Sequence, residues 1–124
     1  MNDPKPLDRR KFPRFDIRTP LTISFSRAAT QEKLDAASLN VSMNGVYCKV
    51  NRYLPLFDKV LITFIIPDEG EKTYNLVSQC TGVVVRIEPE AEEPGRAEYN
   101  VALYFQELSQ AERMMLRALI ATYA

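Results

Sequence analysis

Arg10 and Arg14 stand four residues apart in Arg10-Lys11-Phe12-Pro13-Arg14, close to the N-terminus. A planar guanidinium grips a guanine edge or a phosphate through two parallel hydrogen bonds. Farther along, Asn40-Val41-Ser42-Met43-Asn44-Gly45 ends in one of only four glycines. Asn and Ser turn the backbone locally and present short polar groups. Glycine permits either a positive φ or a close backbone approach. Together the two segments read as a binding site for an anionic, guanine-containing ligand. Separately, each has an ordinary explanation: a solvated basic arm, and a turn between strands.

Catalysis is poorly supplied. The chain has no histidine, which removes the commonest general base and the commonest metal ligand together. No nucleophile elbow, phosphate-binding loop or zinc-protease pattern is present. The glutamates at 88, 90, 92, 93 and 98 fall in a Pro- and Gly-bounded polar stretch, which makes them a surface charge run. Cys48 and Cys80 match no zinc spacing and sit in apolar contexts, so they read as buried free thiols. The residues point to a binding module and to no enzyme, metal or cofactor.

Sixteen basic residues balance sixteen acidic ones, so the sum of charge attracts nothing in particular. Its distribution is informative. Residues 1–18 hold six cations against three acids, a net +3, and residues 88–98 hold five glutamates against Arg96 alone, a net −4. An anion would be drawn to the arm. No apolar run approaches the roughly 20 residues of a membrane span, and the N-terminus lacks the apolar core of a signal peptide. The expected location is cytoplasmic, without membrane insertion.

The elements that must position these residues follow from periodicity. A chain of 124 residues is one domain's worth. Residues 1–18, with Pro4, Pro6 and Pro13 among charges, are expected as a flexible basic arm, and residues 19–124 as the folded body. Leu21, Ile23 and Phe25 alternate with polar residues, as do Val46, Cys48 and Val50, and later Tyr99, Val101, Leu103 and Phe105. Residues 60–66 and 73–88 are two further apolar stretches, the second expected to bulge or bend at Gly82. Residues 27–35 are expected as a loop. Several short strands with turns between them suggest a sheet closed into a barrel. Ser109-Gln110-Ala111-Glu112 then has capping-box spacing. Leu116, Leu119, Ile120 and Tyr123 beyond it form one apolar helical stripe, so a helix over about 109–123 packs on the barrel or, alternatively, binds a partner.

The two polar segments, in this order and about 26 residues apart, resemble the paired signature of the PilZ domain family. That signature is R-x-x-x-R in an N-terminal arm and [D/N]-x-S-x-x-G at the start of a strand. The resemblance continues through Gly45-Val46-Tyr47-Cys48, Gly82-Val83-Val84-Val85-Arg86 and the strand and helix of 99–123, and covers the chain from about residue 8. It implies a mainly β fold, a six-stranded antiparallel barrel with a C-terminal helix, that binds the bacterial messenger cyclic di-GMP. Arg10 and Arg14 would be the principal binders, with Asn40, Ser42 and Gly45 forming the barrel side of the site. Arg9 matches the extra arginine of members that take two stacked ligand molecules. Asn40 stands where the family often has Asp, and Asn44 where it often has glycine, a position at which Asn tolerates left-handed backbone.

The leading expectation is a cyclic di-GMP receptor whose ligand orders the arm against the barrel and creates a surface for an unidentified effector protein. One alternative is an adaptor that works through partners without ligand. Another is a small barrel that binds nucleic acid, for which no stacking platform is evident beyond Phe12 and Phe15.

Overall fold

The computed structural model describes residues 12–27, 30–67 and 75–123. Six strands, β1 (Pro20–Arg27), β2 (Thr30–Ser42), β3 (Gly45–Val50), β4 (Lys59–Pro67), β5 (Asn75–Glu88) and β6 (Tyr99–Phe105), close into one antiparallel barrel. Their order around it is β1-β2-β3-β6-β5-β4. The helix α1 (Gln110–Tyr123) follows. This is the expected fold, and closure leaves the sheet without a free edge.

Alternation sends Leu21, Ile23 and Phe25 of β1, and Tyr99, Val101 and Leu103 of β6, to the inside. Ile62 and Phe64 of β4 join them. The rings of Phe64 and Phe105 meet edge to face with centroids 6.1 Å apart. Each fully buried aliphatic or aromatic side chain stabilises the fold by about 1.5–3 kcal/mol. At the N-terminus of α1 the Ser109 amide donates to Glu112 Oε1 at 2.8 Å, and the Glu112 amide donates to Ser109 Oγ at 3.0 Å. The capping box therefore forms as its spacing predicts. Leu116, Leu119 and Ile120 are buried, and α1 lies against β5. Tyr123 is more exposed than the stripe predicts, its hydroxyl 3.5 Å from Thr19 Oγ1.

Two sequence expectations are corrected. Of the stretch 27–35 expected as a loop, Arg27 and residues 30–35 are strand, because Arg27 pairs with Thr30 and Phe25 with Glu32, and β2 begins at Thr30. Before its irregularity the inward positions of β2 are Leu34, Ala36 and Ser38, of which only Leu34 is large and apolar, too few to show as a hydrophobic alternation. Nor does β5 bulge at Gly82, which pairs in register with Val60 and Phe105. A Cβ on Gly82 would lie 2.6 Å from Ile62 Cδ1, so this glycine makes room for a neighbouring side chain. The irregularities fall instead between Ser38 and Asn40 in β2, and between Val84 and Arg86 in β5.

Cys48 and Cys80 are buried free thiols. Burial pushes each from the ordinary 9.0 up to about 12, with the Glu112 charge adding to the rise at Cys80. The fold favours the neutral form, so this contribution to stability is complete below pH 9.0 and is lost as pH rises toward 12. Denaturation midpoints are expected to fall across that alkaline window. A thiol reagent at about pH 8 is expected to label neither cysteine until the chain unfolds, since the nucleophilic thiolate is withheld. Labelling of the native protein at the rate of a free thiol would contradict this. Among the described residues no helix is long and apolar enough to cross a membrane.

Candidate functional site

β1 begins at Pro20, opposite Ala37, so β1 leaves the last part of β2 without a partner on that side. The chain entering β1 takes its place. The Phe15 amide donates to Val41 O at 2.8 Å and the Val41 amide to Phe15 O at 2.9 Å. The Ser38 amide donates to Thr19 O at 2.9 Å, while the Ser38 hydroxyl accepts from the Thr19 amide and donates to Ile17 O. Ile17 is buried in the core between these bonds. This attachment carries exposed Arg14 to the outer face of the barrel beside Asn40. Arg9 and Arg10, the other arginines assigned to the site, lie outside the described residues.

Asn40 owes its outward position to the β2 irregularity. Leu34, Ala36 and Ser38 point in, and strict alternation would bury Asn40 as well; the register shift turns it half out and buries Val41 instead. Bulges commonly re-aim a side chain in this way beside functional sites. Ser42 closes the turn at Met43-Asn44: its hydroxyl accepts from the Asn44 amide at 3.2 Å and donates to Asn44 Oδ1. Asn44 Nδ2 in turn donates to the Tyr104 hydroxyl at 3.4 Å, and Asn44 O accepts from the Phe105 amide at 2.9 Å. Asn44 does not use the left-handed backbone that its tolerance allows, since Phe57 and Glu107 are the non-glycine residues with positive φ among those described. Gly45 has no positive φ either. Its need is space, because a Cβ there would lie 2.4 Å from Leu103 O on the neighbouring strand.

Arg14, Asn40, Ser42 and Gly45 thus line one cavity of about 600 Å³, within the range of small-molecule sites. Its wall also holds Tyr47, Arg86 and Tyr104, polar side chains that were not assigned to the site from sequence. Arg86 is exposed because β5 shifts register just before it; Val84 and Ile87 are both fully buried. A strict period of two from Cys80 through Val84 would send Arg86 into the core. An arginine at a core phase followed by an isoleucine at a surface phase was the available signal. The Arg86 guanidinium lies 5.6 Å from the centre of the Tyr47 ring, and the Tyr47 hydroxyl donates to Glu88 Oε1 at 2.9 Å. Burial, and then the bond to Glu88, raise the Tyr47 pKa above its ordinary value. Phe12 also lines the cavity, whereas Phe15 packs against the core.

Among the described residues the wall contains two arginines and no carboxylate, and neither arginine is ion-paired. Such a concave surface, with two guanidinium forks beside aromatic rings, has the chemistry to hold a ligand that combines anionic groups with flat rings.

A family model described as the PilZ domain matches residues 8–122. No curated protein matches the chain by sequence. Among solved structures, the Bacillus subtilis inhibitor of motility (MotI/DgrA) superposes with a TM-score of 0.66 at 18% identity, over 94% of this chain and 51% of that one. This chain therefore spans about half the length of that protein. The PilZ domain of YcgR from Escherichia coli, solved with c-di-GMP, superposes with a TM-score of 0.64 at 13% identity, covering 93% and 91% of the two chains. The PilZ domain of CeSA from a cellulose-synthesizing bacterium gives 0.57 at 13% identity, covering 89% and 96%. At these identities the likeness is one of fold.

Proposed function

The chain belongs to the PilZ domain family, and from that premise we propose that it is a cytoplasmic receptor for cyclic di-GMP. The observation that carries the reading is the cavity wall. It brings Arg14, Asn40, Ser42 and Gly45 together and, among the described residues, pairs neither of its arginines with a carboxylate. A cyclic dinucleotide has two phosphate charges and two guanine edges, the groups that arginine forks recognise.

In this reading Arg10 and Arg14 hold guanine and phosphate groups from the arm side, and Asn40 and Ser42 meet the other guanine. Arg9 supplies a further guanidinium for a second, stacked ligand molecule. Residues 1–18 carry a net +3, which a dianion neutralises, so binding orders the part of the arm that precedes the Phe15–Val41 attachment against the barrel. The ordered arm, the ligand and the barrel face then form the surface that an effector protein recognises.

Isothermal titration with cyclic di-GMP tests the receptor reading. Heat is expected from the wild type, with one or two ligands per chain; an absence of heat would sink it. Amide exchange tests the ordering step: residues 5–14 are expected to gain protection at saturating ligand, beyond the protection that the Phe15 amide already has from Val41 O. Placing Phe12, Tyr47 and Tyr104 around two arginines also lends support to the nucleic-acid reading. Single-stranded DNA titrated at two salt concentrations separates the two: tight binding that falls steeply with salt, in a protein indifferent to cyclic di-GMP, would favour the nucleic acid.

A further inference from the structure

The signature motifs do not include Arg86, yet three independent features of the barrel fix its guanidinium over the cavity. The first is the register shift in β5, which puts Arg86 outside while Ile87 is buried. The second is the pairing of three adjacent strands. Tyr47 of β3 and Arg86 of β5 are both register partners of Ala102 on β6. The three residues thus form one row across the barrel, with the smallest in the middle. The methyl group of Ala102 is low enough for the two large side chains to meet above it, which is how the guanidinium comes to lie 5.6 Å from the Tyr47 ring centre. The third is Glu88, whose carboxylate is occupied as the acceptor of the Tyr47 hydroxyl at 2.9 Å. It anchors the ring, and among the described residues it forms no ion pair with Arg86.

We propose that Arg86, steadied by Tyr47, is the residue with which this site selects guanine over adenine. The inference rests on the cyclic-dinucleotide reading of the cavity. A guanidinium held at an aromatic face loses much of its rotational freedom, and its five in-plane N–H donors exceed what a contact with one ring can occupy, which leaves donors for a ligand in the cavity that Arg86 lines. A parallel pair of donors needs two adjacent acceptors. Guanine presents them at O6 and N7, whereas adenine offers N7 beside a donor amino group and leaves one N–H facing another. Arg14 enters from the chain before β1, so it approaches the cavity from a different element. Arg86 is built into the barrel and needs no ordering of the arm.

The test is titration of wild type, Arg86→Ala, Arg86→Lys and Tyr47→Phe with cyclic di-GMP and with cyclic di-AMP, with melting curves as a check on folding. Arg86 is exposed, so its variants are expected to melt as the wild type does. Arg86→Ala is expected to lose about 5- to 150-fold in cyclic di-GMP affinity, with little change toward cyclic di-AMP, so that the preference between the two collapses. Arg86→Lys keeps the charge without the fork and should share most of that loss. Tyr47→Phe keeps the ring and releases Glu88, and should weaken the preference while leaving part of it. Equal losses toward both ligands in Arg86→Ala would overturn the proposal by assigning Arg86 to phosphate. Wild-type binding with an unaltered Arg86→Ala preference would overturn this inference alone. A wild type that binds neither ligand would overturn the receptor reading and this inference with it.

Discussion

Replacing Arg14 with alanine is expected to weaken cyclic di-GMP binding by about 30- to 150-fold, and replacing Arg10 likewise, with the double variant showing no measurable heat. The magnitude follows from hydrogen bonds to charged groups, which contribute about 1.5–3 kcal/mol each. Losing one fork therefore costs about 2–3 kcal/mol after partial replacement by water, and each 1.4 kcal/mol is tenfold in affinity. Lysine at position 14 keeps the charge and loses the bidentate geometry, so Arg14→Lys should fall between wild type and Arg14→Ala. Arg14 is exposed and makes no ion pair among the described residues, so its removal leaves the barrel intact. Melting temperatures of wild type and variant are expected to agree within about 2 °C, as for surface substitutions generally. Tight binding retained by both single variants would remove the arginines from the site, whatever the cavity binds.

The strands with large alternating residues were legible. Leu21, Ile23 and Phe25 of β1, and the whole of β6, carry enough apolar contrast for period two to show. The helix was legible because its cap and its stripe agree. β2 was hidden for a physical reason. It is held by its partners on both sides and carries only Leu34, Ala36 and Ser38 inward over its first two-thirds, so its strand character comes from pairing more than from its own side chains. Part of the candidate wall was legible as a pattern of types, in Arg14, Asn40, Ser42 and Gly45. How those residues and the rest of the wall come to face the cavity depends on register. Asn40 and Arg86 both lie just after a shift that breaks period two, and Tyr47 meets Arg86 only because both pair with Ala102. The shift before Arg86 leaves a local trace in the phase of Arg86 and Ile87, but the alignment of Tyr47 with Arg86 across Ala102 is set by the closed sheet as a whole and leaves none. Gly45 shows the same limit at one residue. Its type signalled a special requirement, but whether that was a turn, a ligand or a neighbouring strand could be decided only with β6 in place.

Gly45→Ala is accordingly expected to lower the stability of the barrel by about 2–3 kcal/mol, as overpacking against a fixed neighbour does. The added methyl would lie 2.4 Å from Leu103 O, a backbone atom that no rotamer change can move. Relief would require β3 and β6 to separate. They are joined there by the Gly45–Tyr104 and Val46–Leu103 pairs, and the turn is tied down by the Phe105 amide on Asn44 O at 2.9 Å. Gly82→Ala provides the contrast. Its methyl would meet Ile62 Cδ1 at 2.6 Å, the far end of a flexible side chain, before it met Tyr104 O at 3.2 Å, so part of the strain can relax. Gly95→Ala has open space but sits at φ +78°, where a side chain costs about 1 kcal/mol. Urea denaturation of the three variants should therefore rank Gly45→Ala as the most damaging. It should also separate two roles that the motif combines. Arg14→Ala loses ligand with the fold intact, whereas Gly45→Ala loses stability first and ligand as a consequence, because Ser42, Asn44 and Tyr104 all hang on the β3–β6 contact. If Gly45→Ala proved as stable as wild type yet failed to bind, the glycine would be a ligand contact after all, and the strand-crossing explanation would be wrong.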